Sequence, residues 1–264
     1  MKNKFINFTN KIIFPLSIIV LILIVTWFAV FALTSSKTYY RFEFNKNDTV
    51  NTLHWVYQRE DGIRIYKEYD GDDLEKIMNK IVDYMTNKCD DLQMVDDEGM
   101  NVFSNQAIYH MADVKKIYNG WSIITLFLIP LMVLMIIYID IHLNEISKSI
   151  KKQTIITFSI IGSILLIIVI GLIIDSSNTF VIFHHVIFPK IEDFNDAMFY
   201  RVSNYEEAYY INNLLLVQVL SIEVFIDAAW IIIVSLVLII FLYVFFTLKK
   251  ALKIQKNNSN LNIA

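Results

Sequence analysis

Four long uncharged runs limit what this chain can fold into. They cover residues 12–36, 117–139, 153–174 and 228–247, and each is long enough to cross a bilayer as a helix, which takes about 20 residues. The chain is 56% hydrophobic and has only six Gly and three Pro, a composition too apolar for a soluble domain of this size. The sequence therefore predicts a membrane α-helical protein with four transmembrane helices.

Lysines predict the orientation of these helices. They precede the first run, lie between the second and third runs and follow the fourth, which makes those segments cytoplasmic by the positive-inside rule. The apolar core of the first run is longer than that of a signal peptide, so a retained helix is favoured over a cleaved signal. The predicted organisation begins with the cytoplasmic N-terminus and first span at 1–36, followed by an extracytoplasmic domain at 37–118. The second span at 119–139 and the third span at 153–174 are joined by a cytoplasmic loop at 140–152. A second extracytoplasmic segment at 175–227 precedes the fourth span at 228–248 and a cytoplasmic tail at 249–264.

The first extracytoplasmic segment has the patterns of a small folded domain. Apolar residues recur at helical spacing from Leu74 to Met85, with Asp72 and Asp73 as capping candidates before them. Alternating polarity at 39–44 and 62–66 predicts two strands. These elements indicate a small α+β cap. Residues 35–118 contain 16 Asp and Glu against 11 Lys and Arg, so the charge does not favour a nucleic-acid partner.

The stretch AIYHMADVKK, residues 107–116, places polar residues directly before the second span. On a helix, His110 and Asp113 share a face, so we expect the carboxylate to orient the imidazole and favour its protonated form. His184 follows the third span, and both histidines can reach the outer interface. Lys115, Lys116 and Lys190 are expected to contact headgroup phosphates or to be solvated charges.

The remainder of the second extracytoplasmic segment contains few chemical groups. Residues 208–222 are uncharged but too short to span comfortably, so we expect a re-entrant or interfacial helix there. The single cysteine, Cys89, cannot form an intramolecular disulfide and lies beside carboxylates that disfavour a thiolate, so we assign it no catalytic role.

Two of these stretches carry a resemblance to a known family. VFSNQAIYHMADVK, residues 102–115, and FHHVIF, residues 183–188, resemble the two histidine elements of the lipoprotein intramolecular transacylases, a four-span family of bacterial membrane proteins. After Phe188 the sequence departs from the family's pattern. The resemblance implies transfer of the sn-2 acyl chain of a diacylglyceryl-cysteine to that cysteine's own α-amine, which yields an N-acylated lyso-form lipoprotein.

The resemblance also implies the site and its partners. His110 and His184 would be the catalytic acid and base, with Asp113, Lys115 and Lys190 in supporting roles and no metal or cofactor. The partners would be diacylated lipoproteins and membrane phospholipid, with the active site at the extracytoplasmic interface of a multi-pass protein in the cell membrane. Two alternatives remain open, a zinc-dependent membrane hydrolase using His110, Asp113 and His184, and a non-catalytic sensor or assembly protein.

Overall fold

The structure of the protein is a computed structural model. It describes residues 2–46, 54–58, 64–68, 70–97, 99, 102–103, 105–175, 178–179, 182, 186 and 222–261. In chain order, the elements are α1 (Lys2–Thr34), α2 (Lys37–Lys46), β1 (His54–Gln58), β2 (Arg64–Glu68), α3 (Gly71–Met85), α4 (Asn105–Ile141), α5 (Leu143–Ile174) and α6 (Ile222–Leu261).

Four of the helices are long and apolar enough to cross a membrane. Their candidate spans are Phe8–Thr34, Ile108–Ile141, Ser149–Ile174 and Ile226–Lys256. This confirms the predicted class, a membrane α-helical protein with four spans. The chain divides into two compact units, which we call the membrane unit (1–29, 121–183 and 231–264) and the hydrophilic unit (30–120 and 184–230).

The membrane unit packs parts of α1, α4, α5 and α6 around one apolar cluster. Its buried members include Phe14 and Ile18 of α1, Ile146 of α5 and Ile240 of α6. Without an aqueous driving force inside the bilayer, such helices associate through close packing and through hydrogen bonds between helices. Asn10 supplies several of those hydrogen bonds, and it is only 6% exposed.

Only His142 separates the end of α4 from the start of α5. The sequence predicted a loop over 140–152, but α5 begins at Leu143, directly after His142. Leu143, Ile146 and Ile150 recur at helical spacing and are buried in the apolar cluster, which explains why this segment continues as helix. The His142 ring stacks on Tyr138 with centroids 4.2 Å apart.

The predicted strand at 39–44 is wrong, because these residues lie in α2. In a helix, Tyr40, Glu43 and Phe44 stand at positions i, i+3 and i+4, and all three are buried along one side of α2. Arg41 and Phe42, which fall between them, are exposed. The spacing of the apolar residues at 39–44 fits the period of a strand and also that of a helix. The burial of one side of α2 explains why the helix forms.

The amphipathic helix predicted from Leu74 to Met85 is confirmed as α3. All the apolar residues of its predicted face are buried. Its N-cap is Asp70, rather than Asp72 or Asp73, and the Asp70 carboxylate accepts hydrogen bonds from the backbone N–H groups of both.

A two-stranded antiparallel sheet precedes α3. β1 pairs with β2 in a register that places Val56 opposite Tyr66 and Tyr57 opposite Ile65. β2 overlaps the strand predicted at 62–66. At the other end of the chain, α6 begins within the predicted second extracytoplasmic segment and continues through Leu261, so helix covers most of the predicted tail.

Candidate functional site

The stretch that carries His110 forms the first turns of α4. This helix runs without a break from Asn105 to Ile141, and its apolar span is 34 residues long, about 51 Å of helix. A bilayer core is only about 30 Å thick. The chain passes from the hydrophilic unit to the membrane unit between Gly120 and Trp121, so His110 and the charged residues after it belong to the hydrophilic unit. The candidate span Ile108–Ile141 is longer than a bilayer core requires, and Asp113, Lys115 and Lys116 separate His110 from the uncharged run that begins at Ile117. We therefore place His110 before the membrane-spanning part of α4.

The imidazole of His110 is partly withdrawn from water. Burial lowers the pKa of His110, while the nearby carboxylate of Asp113 acts in the opposite direction with a smaller effect. The sequence had favoured the protonated ring because of Asp113. The structure reverses that expectation, because loss of hydration outweighs the attraction of the carboxylate, and the lowered pKa favours the neutral ring.

Asp113 forms an ion pair with a lysine of the same helix. Its Oδ1 accepts a hydrogen bond of 2.8 Å from Nζ of Lys116, and both side chains are exposed. An exposed ion pair of this kind contributes little to stability. It reduces the effect that Asp113 can have on the neighbouring imidazole, in agreement with the direction of the His110 pKa.

Lys115 contacts a different part of the hydrophilic unit. Its Nζ donates to the carbonyl oxygen of Cys89 at 3.2 Å and lies 4.0 Å from the centroid of the Tyr84 ring. The sequence had predicted a contact with headgroup phosphate for this lysine. In the structure its ammonium group is already engaged by a carbonyl and an aromatic face, both of which attract a cation.

The histidines of the second element, residues 183–188, lie outside the described residues. This holds for His184 and Lys190, and also for the re-entrant or interfacial helix predicted at 208–222. The role of each therefore stays a prediction. Ile182 and Val186, on either side of His184, are described and are helical.

Asp175 is the C-cap of α5. The N–H of Asp175 donates to the carbonyl oxygen of Gly171 at 2.9 Å, and its Oδ1 accepts from the N–H of Asn178 at 2.9 Å. Asp175 therefore ends α5 and caps the residues that follow. A Cβ at Gly171 would lie 2.9 Å from Oγ1 of Thr179, so a larger residue at this position would displace the threonine side chain.

No group of three or more His, Cys, Asp and Glu side chains that could hold a metal ion occurs in the described part of the chain. The zinc set of the hydrolase alternative includes His184, so this observation does not test it. Cys89 is half-buried and its Sγ lies 3.3 Å from the carbonyl oxygen of Asp91.

Sequence reasoning missed the contacts between α4 and the end of α3. Asn119 and Asn87 exchange hydrogen bonds between their side-chain amides at 3.2 and 3.5 Å. Asn87 has a positive φ of 59°, the conformation of a residue just past a helix end, where Asn is common. An asparagine two residues after the last apolar position of α3 was the available signal.

These features define a multi-pass membrane protein in which a histidine-bearing helix continues from a hydrophilic unit into the bilayer. The family model described as Lipoprotein intramolecular transacylase Lit matches residues 15–193, about two thirds of the chain. The chain belongs to this family, whose name implies an acyltransferase that acts on lipoproteins. The matched region contains both histidine elements and ends close to the point where the sequence departs from the family's pattern. Comparison with curated proteins and with solved structures found no match.

Proposed function

We propose that this protein moves the sn-2 acyl chain of a diacylglyceryl-cysteine to the α-amine of the same cysteine, giving an N-acylated lyso-form lipoprotein. The observation that carries the proposal is the family match, which includes His110 and His184. The lipoprotein α-amine attacks the carbonyl carbon of its own ester. The bond from that carbon to the glyceryl oxygen then breaks, so product and substrate are isomers.

The reaction needs one proton removed and one delivered. An α-amine has a pKa of about 8, so its ammonium form first loses a proton to solvent. From the neutral amine, a base then removes one further proton from nitrogen as the amide forms. The glyceryl alkoxide is a poor leaving group until an acid protonates it. Two histidines supply both functions without a metal or a cofactor.

We assign the base to His110. Burial lowers its pKa, which keeps the imidazole neutral at pH 7 and able to accept the proton of the amine. His184 then delivers the proton to the glyceryl oxygen. Asp113 opposes the effect of burial and would stabilise the imidazolium after the transfer. Lys190 is a supporting contact for headgroup phosphate.

The substrate supplies its own proximity. Intramolecular reactions with favourable geometry reach effective molarities of roughly 10⁵–10⁸ M, so a covalent acyl-enzyme is not required. Cys89 is therefore not needed as a nucleophile, and its side chain lies against the carbonyl of Asp91. The task of the protein is to hold the headgroup folded and to move protons at two atoms.

The height of His110 suits a lipoprotein headgroup. It lies seven residues before Ile117, where the uncharged run begins, which corresponds to about 10 Å of helix rise. The polar layer of a bilayer is about 5–8 Å thick on each side. With the orientation predicted from the lysines, His110 lies on the extracytoplasmic side, at the outer edge of the headgroup layer, where the headgroup of a lipoprotein projects from the bilayer. The elements α2, β1, β2 and α3 would form the α+β cap on that side.

Mass spectrometry of a lipoprotein's N-terminal peptide tests the proposal. The host lacks other N-acylating enzymes and carries either this protein, its His110→Ala variant at the same membrane level, or an empty vector. Only the first should yield peptide with an N-acyl group and a single O-acyl chain. Peptide with a free α-amine and two O-acyl chains in all three strains would refute the proposed activity.

A further inference from the structure

α4 is held against the end of α3 by two sets of contacts. Lys115 donates to the carbonyl oxygen of Cys89 at 3.2 Å and lies 4.0 Å from the centroid of the Tyr84 ring. One turn further along α4, Asn119 exchanges amide hydrogen bonds with Asn87. Both contacts lie within the hydrophilic unit, and both occur in the part of α4 that carries His110.

The partner surface is a well-formed helix terminus. Asn87 adopts a positive φ of 59°, its N–H donates to Tyr84 at 3.2 Å, and the N–H of Lys88 donates to Asp83 at 2.8 Å. This pair of backbone hydrogen bonds is the Schellman motif, which fixes the direction of the chain after a helix. The groups that receive Lys115 and Asn119 are therefore fixed with respect to α3.

The two contacts determine the rotation of α4 about its axis. Lys115 and Asn119 are four residues apart and share a face, and Met111, which is 5% exposed, is buried on that same side. His110 precedes Lys115 by five residues, which places it about 140° around the helix. A rotation of about 20° would carry a ring that lies about 6 Å from the axis through about 2 Å.

We propose that Lys115 and Asn119, with Asn87 as the partner of the latter, are positioning residues that fix the rotation of α4 and so aim His110 at the reacting amine. This inference rests on the proposed function. A displacement of about 1 Å at a reacting group can reduce the rate on the order of 100-fold. The lysine thus acts through His110 and through contacts inside the protein.

Replacement of Lys115 gives the main test. Lys115→Met keeps the length of the side chain and removes the charge, and it should lower the initial rate of N-acylation per folded protein by about 10- to 100-fold. Lys115→Arg keeps a cation that can donate to the carbonyl and stack on Tyr84, so it should restore most of the rate. Lys76→Met makes the same change on α3, where the lysine pairs with Asp73, and should leave the rate unchanged.

A second variant covers the case in which Lys115→Met does not accumulate. Asn87→Gly retains a residue suited to positive φ, so the helix end is preserved, and it removes the amide that contacts Asn119. The rate per folded protein should fall about fivefold or more, because both hydrogen bonds between the two amides are lost. If both Asn87→Gly and Lys115→Met react at the wild-type rate, the positioning role is refuted.

A double variant separates this inference from the proposed function. If Lys115 acts only through His110, adding Lys115→Met to His110→Ala should not lower the residual rate further. A further loss of the same factor in the double variant would mean that Lys115 acts independently of His110 and would overturn the inference. If the wild-type protein forms no N-acylated lyso-form lipoprotein, the proposed function fails. If the wild type is active and His110→Ala retains full activity, the acyl transfer stands, but the assignment of His110 as the base fails and the inference fails with it. An inactive His110→Ala beside a fully active Lys115→Met overturns only the positioning role.

Discussion

Two polar regions of the helices, one around Asn10 and one around His110, differ in the contacts that their side chains make. Asn10 is buried, its Nδ2 donates to Glu145 at 2.7 Å, and its Oδ1 accepts from the hydroxyl of Tyr138 at 3.0 Å. Its backbone oxygen accepts from Gln153 at 3.2 Å. Asn10 therefore joins α1 to α4 and α5. Around His110, Asp113 pairs with Lys116 on the same helix and Lys115 contacts residues next to α3.

The difference separates polar groups that hold helices together from groups that can act on a substrate. Both polar atoms of the Asn10 side chain are engaged by other helices, so this residue stabilises the membrane unit. The residues around His110 make their contacts within the hydrophilic unit, and in the proposed function they set the position and charge state of a half-buried imidazole. Composition alone does not separate the two cases, because each is a polar residue close to an apolar run. The contacts of each side chain do.

The largest effect is expected at the two histidines. His110→Ala and His184→Ala should each reduce the formation of lyso-form lipoprotein by about 10²–10⁴-fold, the usual contribution of proton transfer, while the protein still inserts into the membrane. His185→Ala and His54→Ala should be much milder, because neither residue has a role in the proposed proton transfers. Quantitative mass spectrometry of the lipoprotein N-terminus at matched membrane levels measures all four. An inactive His185→Ala beside an active His184→Ala would show that the residue assignment is wrong.

A smaller loss of activity is expected from changes at the end of α5, where Gly171 contacts Thr179. Gly171→Ala would bring a Cβ to 2.9 Å from Oγ1 of Thr179, five residues before His184, and should lower activity about tenfold by displacing this segment. Thr179→Ala removes the clashing atoms, so the double variant should recover most of the activity. Gly162→Ala is the control, since a Cβ there meets no atom within 4 Å. A double variant as impaired as Gly171→Ala would contradict this steric explanation.

Asn10 should affect stability and leave the chemistry intact. Asn10→Ala removes two side-chain hydrogen bonds between helices, which average about 0.6 kcal/mol each in membrane proteins, so a loss of about 1 kcal/mol is expected. Thermal unfolding in detergent, followed by size exclusion, measures this change. Ser163→Ala is the control, because its hydroxyl donates only within α5, to Ser159. A loss of activity per folded molecule in Asn10→Ala would remove the distinction between the two regions.

The smallest expected effect concerns metal. Because the proposed mechanism assigns both proton transfers to histidines, chelation of divalent cations should leave the rate of acyl transfer unchanged, and the purified protein should contain no stoichiometric zinc. Activity assays before and after treatment with a chelator, together with elemental analysis, make the measurement. A loss of activity that added zinc restores would favour the hydrolase alternative.

The spans and α3 were predictable from the sequence because their apolar patterns are long and fit only a helix. Residues 39–44 were ambiguous, since their apolar positions fit both a strand and a helix, and only the burial of Tyr40, Glu43 and Phe44 on one side selects the helix. The helical start of α5 was hidden by its lysines, although Leu143 and Ile146 already had helical spacing.

The candidate site was predictable in its residues and unpredictable in its contacts. His110 stood out because a titratable ring precedes a span. Its charge state did not follow from the adjacent Asp113, because burial depends on residues distant in sequence. The partners of Lys115 could not be read from the sequence for the same reason, since Cys89 is 26 residues away and belongs to another segment.

A crossover experiment tests the central claim, acyl transfer within one lipoprotein molecule, most directly. The purified protein is given two synthetic diacylated lipopeptides together, which differ in peptide mass and carry sn-2 chains of different length. The products are then identified by mass spectrometry. We predict that each peptide carries on its α-amine only the chain it began with, and that no free fatty acid appears. Products with exchanged chains, or release of fatty acid, would contradict the intramolecular mechanism.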